Sequence, residues 1–355
     1  MQLDVLTPAK TVRSIPSARR MGWVDFAKGL AIIFVVYRHS IVGIERSGRE
    51  VSELIYFFQE VVFNFRMPVF FVLSGIFLQR AMVKRTSTKI FIQKIKTLLY
   101  PYFLWSVIFI SIQIVLSDYT NSQRTIKDYS YILFQPRNLD HMWYLLALFN
   151  TSWLLLLLNR LFNKTPVIHL VLAFILHMLS YKVSSMSLIS DVFYHYIFLV
   201  IGVQISPLLF RTYRDGPKDL KFKLVLLLPL FIAGQYFWLN NKLSGQVFYA
   251  MQLVIILFAC YYFYLFCRLA NDSLFSRTIA RIGKYSLYIY ILHFLIIASL
   301  RIIIEKIWPF YPVEVLLLLS LGLGIVLPIL IFKFGEGFGI RYLFSLPPFD
   351  IKKHG

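Results

Sequence analysis

Charge is scarce in this chain. Only 15% of its 355 residues are Asp, Glu, Lys or Arg, and 58% are hydrophobic. Soluble globular proteins carry about 25% charged residues. With a mean hydropathy of +0.68, the sequence leaves little room for a water-soluble domain and implies a polytopic membrane protein. Acidic residues are scarcer still: 17 Asp and Glu face 37 Lys and Arg, a formal net charge of +20. Such a surplus can mark a nucleic-acid partner. Here the positives fall in short loops between apolar runs, where they orient helices, so no nucleic acid is expected. Cysteine is nearly absent. Cys260 and Cys267 share one apolar run, and seven helical residues hold them roughly 10.5 Å apart, too far for a disulfide. Both read as core or lipid-facing. The first twenty-odd residues are polar and basic without an apolar h-region, so no cleavable signal peptide is expected. No internal repeat or low-complexity linker is visible.

What abounds is apolar runs of membrane length. Ten spans of about twenty residues each are predicted at 24–44, 61–79, 98–117, 142–159, 166–181, 190–210, 222–240, 247–268, 286–306 and 313–333. They form a transmembrane domain over 24–333, flanked by segments 1–23 and 334–355. With the N-terminus inside, 25 of the 37 Lys and Arg fall in cytoplasmic segments and nine outside. Three remain within spans: Lys28, Arg38 and Arg66. That asymmetry predicts an all-α fold with both termini cytoplasmic.

Ionisable groups are costly in hydrocarbon and mark function by default. The stretch FAKGLAIIFVVYRHSIVG, residues 26–43, holds three of them, Lys28, Arg38 and His39, and Asp25 stands at its edge. The first helix runs outward, so Lys28 lies near the cytoplasmic face. His39 follows eleven residues on, roughly 16 Å farther out and on nearly the same side. Arg66 in the second span reaches a similar depth. His141 sits at the outer mouth of the fourth, and His293 lies about seven residues into the ninth from inside. Histidine is the usual general base near neutral pH, and Arg and Lys suit a phosphate or a developing oxyanion. Plainer readings stand beside these. Lys28 alone would serve equally to snorkel to headgroups. Arg38, some 100° round from His39, reads as a structural partner. His169, His177 and His195 read as hydrogen-bonded packing residues, and Trp143 with the many Tyr at span ends as an interfacial belt.

Five stretches carry a resemblance. WVDFAKGLAIIFVVYRHS holds Asp25, Lys28, Gly29 and His39. FRMPVFFVLSG runs from Phe65 to Gly75, and KIKTLLYPYFLW carries Lys94, Lys96 and Pro101. HMWYLLALF opens on His141, and IGKYSLYIYILH spaces Gly283, Ser286, Tyr290 and His293. In this order they resemble the motifs of the acyltransferase family 3 membrane proteins, with a flavour closest to the fucose 4-O-acetylase-like branch. Two residues depart from the pattern. Lys28 stands where most members carry Arg, which keeps the charge but loses the bidentate fork. Arg66 stands where that branch often has His, and it cannot carry a proton as His does. The C-terminal periplasmic hydrolase-like domain of some relatives is not expected here.

The resemblance implies a multi-pass O-acyltransferase of a bacterial inner membrane. It would move an acyl group, usually acetyl, from cytoplasmic acetyl-CoA to a hydroxyl of a surface or lipid-linked glycan. No permanently bound cofactor and no metal is implied. The donor is expected at Asp25, Lys28, Lys94 and Lys96, with Asp25 pairing Lys28 one turn away. His39 is the expected base, and an acyl-His39 intermediate stays open. Arg66 is expected at the tetrahedral oxyanion or at an acceptor phosphate. His141 and Trp143 suit the acceptor. Ser74 and Gly75 read as a close-packing pair rather than a nucleophile, and Tyr290 and His293 complete the late motif. The rival reading is a transporter or flippase of an anionic glycan or lipid, which predicts two related halves with broken helices; no such symmetry is visible. A sensor or scaffold leaves the buried Lys and His unexplained.

Overall fold

The computed structural model describes residues 22–117, 124–162, 165–210, 216–241, 246–270, 273–308 and 310–347. Most of the N-terminal segment and the end of the C-terminal tail, with the basic residues read there, lie outside the described residues. Those described form helices and no strand. In chain order they are α1 (Gly22–Arg46), α2 (Glu53–Lys84), α3 (Ser87–Val115), α4 (Trp143–Leu161), α5 (Pro166–Val183) and α6 (Ser187–Phe210). Then follow α7 (Pro217–Asn240), α8 (Gln246–Arg268), α9 (Leu274–Lys284), α10 (Ser286–Ile307) and α11 (Val313–Gly335). All but α9 are long and apolar enough to cross a membrane, ten in total.

Small residues set how closely the central helices approach. A Cβ on Gly29 of α1 would lie 2.0 Å from the Ile279 carbonyl oxygen of α9. One on Gly75 of α2 would lie 2.1 Å from the Leu199 carbonyl oxygen of α6, and one on Gly202 of α6 equally close to Val72. Without a hydrophobic force between helices in lipid, such backbone-to-backbone approach holds them together. It makes α1, α2 and α6 the packed centre. At the periphery, only 11% of the α7 span is buried, and its Phe222, Val225 and Leu226 point outward into the bilayer.

Three boundaries differ from the sequence reading. α2 begins at Glu53, not near 61, because the helix-forming but charged stretch ELIYFFQE continues it beyond the apolar zone. α3 begins at Ser87, capped by the Thr86 side chain on the Lys89 amide. It passes through a π turn at Ile95–Leu99 just ahead of Pro101, a wider turn that accommodates a ring with no N–H. The basic stretch before the ninth span, read as a loop, forms α9. Its Ser273 caps the Ser276 amide. Its pattern is amphipathic, with Ser276, Ile279 and Gly283 turned to the protein and Arg277 and Arg281 outward. Both cysteines are free, as expected.

Candidate active site

Among the described residues, two cavities of about 520 and 560 Å³ enter the bundle from opposite ends. The first, of about 520 Å³, lies at the end of the bundle where α2 meets α3. Its lining includes Lys28, Arg80, Lys84, Arg85 and Lys94, and no acidic side chain. Lys28 projects from α1 with its Nζ 4.7 Å from the Phe77 ring centroid. Lys94 faces in, but Lys96, two residues on, points to the other side of its helix. It does not line the cavity, and its carbonyl accepts from the Leu346 amide at 3.3 Å. Asp25 is buried beneath this cavity rather than in it. Its carbonyl presses on Gly283, where a Cβ would meet it at 1.8 Å. The Asp25-to-Gly29 motif is thus half charge and half helix contact.

At mid-bundle three imidazoles meet. His39 of α1 lies 5.2 Å, centroid to centroid, from His293 of α10 and 6.0 Å from His141, and the latter two are 5.1 Å apart. Backbone carbonyls fix two of the tautomers. His293 donates from Nδ1 to the Ile289 carbonyl at 2.9 Å, and His141 from Nε2 to that of Ile291 at 3.3 Å. The lone pairs of His293 Nε2 and His141 Nδ1 are therefore left over, buried and without a partner. Burial lowers His141, which precedes the α4 span, to about 4, so this ring is neutral at physiological pH. Among the described residues no carboxylate pairs with His39.

The second cavity, of about 560 Å³, opens on the other side of this cluster. His39, Arg66 and His141 line it, as the depth reading expected, together with Trp143. Trp143 is no belt residue, for its ring lies 4.4 Å under the Arg137 guanidinium. Arg137 in turn pairs with the buried Asp191 at 2.5 Å. His195 shares this wall, stacked on Phe71 at 4.5 Å. Tyr194, Trp238, Tyr249 and three serines complete a surface of aromatic faces and hydroxyls. Arg137 and Asp191 carry no motif that sequence reasoning could find; they are 54 residues apart and meet only in the fold. Pro68, in the middle of α2, also lines the cavity. A proline there releases a turn of the helical ladder beside Arg66.

One side chain lines both cavities: Tyr290 of α10. Its hydroxyl donates to the His141 carbonyl, and its ring packs at 5.4 Å on Tyr144. Tyr144 in turn hydrogen-bonds Ser74. Ser74 therefore faces the basic cavity, while its neighbour Gly75 takes the helix contact. The basic cavity and the histidine cavity thus share a two-tyrosine partition, and Lys28 and His39 stand on its two sides. Arg38, read as a structural partner, approaches Glu60 at 3.9 Å and lines the histidine side.

Comparison with curated proteins and with solved structures gives no match. The acyltransferase domain family Acyl_transf_3 matches residues 21–332, a stretch that runs from the start of α1 into α11 and takes in both cavities and the histidine cluster. The chain therefore belongs to the acyltransferase family 3, as a multi-pass membrane acyltransferase.

Proposed function

We propose that the protein is a membrane O-acetyltransferase of the fucose 4-O-acetylase-like branch. It takes acetyl from acetyl-CoA at the basic cavity and places it on a glycan hydroxyl in the aromatic cavity. On this reading residues 24–333 are the catalytic unit, and the flanks 1–23 and 334–355 lie in the cytoplasm of a bacterial cell. The observation that carries the reading is the pair of cavities, one all-cationic and one centred on His39, meeting at a single partition. Five cations without an acid in the lining suit the phosphates of a coenzyme, because guanidinium and ammonium groups bind them by charge-assisted hydrogen bonds. From Lys28 to His39 is roughly 16 Å along α1, about the length of an extended pantetheine arm. A donor anchored at Lys28 and Lys94 would therefore bring its thioester past Tyr290 to the imidazoles.

His39 then takes the proton of the acceptor hydroxyl as that oxygen attacks the thioester carbonyl. The tetrahedral intermediate collapses, the C–S bond breaks, and the leaving thiolate takes the proton back from the imidazolium. The acetyl ester stays on the sugar and free coenzyme A thiol returns to the basic cavity. His141 and His293, each held by a backbone carbonyl, keep buried ring lone pairs beside His39. Trp143 offers a face to a sugar ring. Mass spectrometry of surface glycan from cells with and without the gene tests the assignment. The expected result is loss of one acetyl unit per acceptor residue. Identical glycan masses in the two strains would contradict it.

A further inference from the structure

One charge beside His39 takes no part in the steps written above. Arg66 stands near the middle of α2, only 7% exposed. A guanidinium at the centre of a membrane helix is costly, and buried charges are ordinarily paired. Arg66 is not. Its NH1 reaches the Phe34 carbonyl at a long 3.4 Å, and its Nε has no hydrogen-bond partner. Among the described residues no carboxylate lies within 4.0 Å of it. Three guanidiniums line this cavity, those of Arg38, Arg66 and Arg137, and Asp191 is the acid among the lining residues. Asp191 neutralises Arg137 at 2.5 Å, and Glu60 approaches Arg38 at 3.9 Å. Arg66 and Arg38 both sit over the Phe63 ring, 5.4 and 5.1 Å from its centroid. Two cations thus flank one ring, and Arg66, with no described carboxylate in ion-pair reach, faces the space next to His39.

We propose that Arg66 is an anion-binding residue for the acceptor. It holds a phosphate or carboxylate carried by the sugar whose hydroxyl reacts at His39, with Arg38 alongside. The acceptor class is then an anionic glycan: a glycosyl phosphate or a uronate. The inference rests on reading this cavity as the acceptor side of the acyltransferase. Each hydroxyl of a neutral sugar both donates and accepts, so its recognition calls for acceptors as well as donors; guanidinium groups only donate, and their fork matches anionic oxygens two at a time. A role for Arg66 at the transient oxyanion of the intermediate makes a different prediction, because it would leave ground-state binding of every acceptor untouched.

The test is binding, measured by thermal unfolding of the purified protein in lipid nanodiscs with four probes: a hexose 1-phosphate, a hexuronate, inorganic phosphate and an uncharged methyl hexoside. At least one anionic sugar is expected to stabilise the wild type at concentrations tenfold or more below those the methyl hexoside needs. Arg66→Gln should lose that advantage and Arg66→Lys keep part of it. Coenzyme A should stabilise both variants as it does the wild type, which shows that they are folded. Stabilisation by inorganic phosphate, lost in Arg66→Gln, supports phosphate as the group; the same pattern with the uronate supports carboxylate. The proposal is overturned if the anionic sugars bind no better than the methyl hexoside. It is equally overturned if Arg66→Gln binds them as well as the wild type does. Because the readout needs no turnover, anion binding without acetyl transfer would leave this site standing and remove the proposed function. Acetyl transfer to neutral sugars, with no Arg66-dependent binding, would do the reverse.

Discussion

Replacing Gly29 by alanine should force α1 off α9. The new Cβ would lie 2.0 Å from the Ile279 carbonyl oxygen, 2.8 Å from its carbon and 2.9 Å from Ile279 Cγ2. Ordinary contact begins at 3.4 Å, so the helices must part by about 1.4 Å at this level. The nearest atoms belong to a helical backbone and cannot swing aside. Overpacking costs typically 1–3 kcal/mol and occasionally more, and a clash with backbone belongs at the upper end, about 3 kcal/mol. Gly322 of α11 is the internal control, because a Cβ there meets nothing within 4 Å. In a helix interior alanine is favoured over glycine by about 1 kcal/mol, so Gly322→Ala should be neutral or mildly stabilising. Chemical denaturation of both variants in the same lipid should therefore separate them by roughly 3–4 kcal/mol. Donor affinity should fall with Gly29→Ala as well, since Lys28 is its neighbour and moves with it out of the basic cavity. If the two variants lay within 1 kcal/mol of one another, the close crossing of α1 and α9 would not exist as described.

Lys28→Ala should weaken acetyl-CoA binding about tenfold, the loss of one charge-assisted contact of ~1.5 kcal/mol, whereas Lys28→Arg should match or exceed the wild type; calorimetry decides, and unchanged affinity in the alanine variant refutes the anchoring role. Tyr290→Ala removes the partition and should raise acceptor-independent hydrolysis of acetyl-CoA relative to transfer, measured as thiol released per acetyl product; an unchanged ratio means Tyr290 does not separate the two cavities. In a background without Cys260 and Cys267, Glu50→Cys should react with an impermeant thiol reagent added to intact cells stripped of any outer membrane. Thr86→Cys should react only after lysis. Labelling of Thr86→Cys in intact cells would turn the basic cavity to the outside and remove its access to a cytoplasmic donor.

The ten spans were legible because membrane-length apolar runs leave little else to read, and the order of the helices needed nothing more. The grouping of His39, Arg66 and His141 followed from depth alone, since helical rise places residues along a span without tertiary information. Helix ends were less legible. The charged start of α2 and the amphipathic α9 are helical through capping and packing, not through hydropathy, so a hydropathy reading ends too early or sees a loop. Facing was the least legible property. Lys94 and Lys96 look equivalent in a basic motif, yet their two-residue spacing puts one in the cavity and the other outside it. Gly29 and Gly283 belong to motifs, but their reason appears only when the backbone of the opposing helix is in view. The Arg137–Asp191 pair, the placement of His195 on the wall of the histidine cavity and the double exposure of Tyr290 depend on contacts between distant segments. No local pattern encodes them.

The most direct test of the account takes purified wild-type protein and His39→Ala in nanodiscs. It supplies acetyl-CoA with an acceptor glycan from the host and follows thiol release and acetylated product together. The account predicts equimolar thiol and acetyl ester for the wild type. For His39→Ala it predicts loss of both by at least 10²-fold, the usual worth of a positioned general base, with donor binding intact. Near-normal product formation by His39→Ala, or transport of acceptor by the wild type without thiol release, would contradict it.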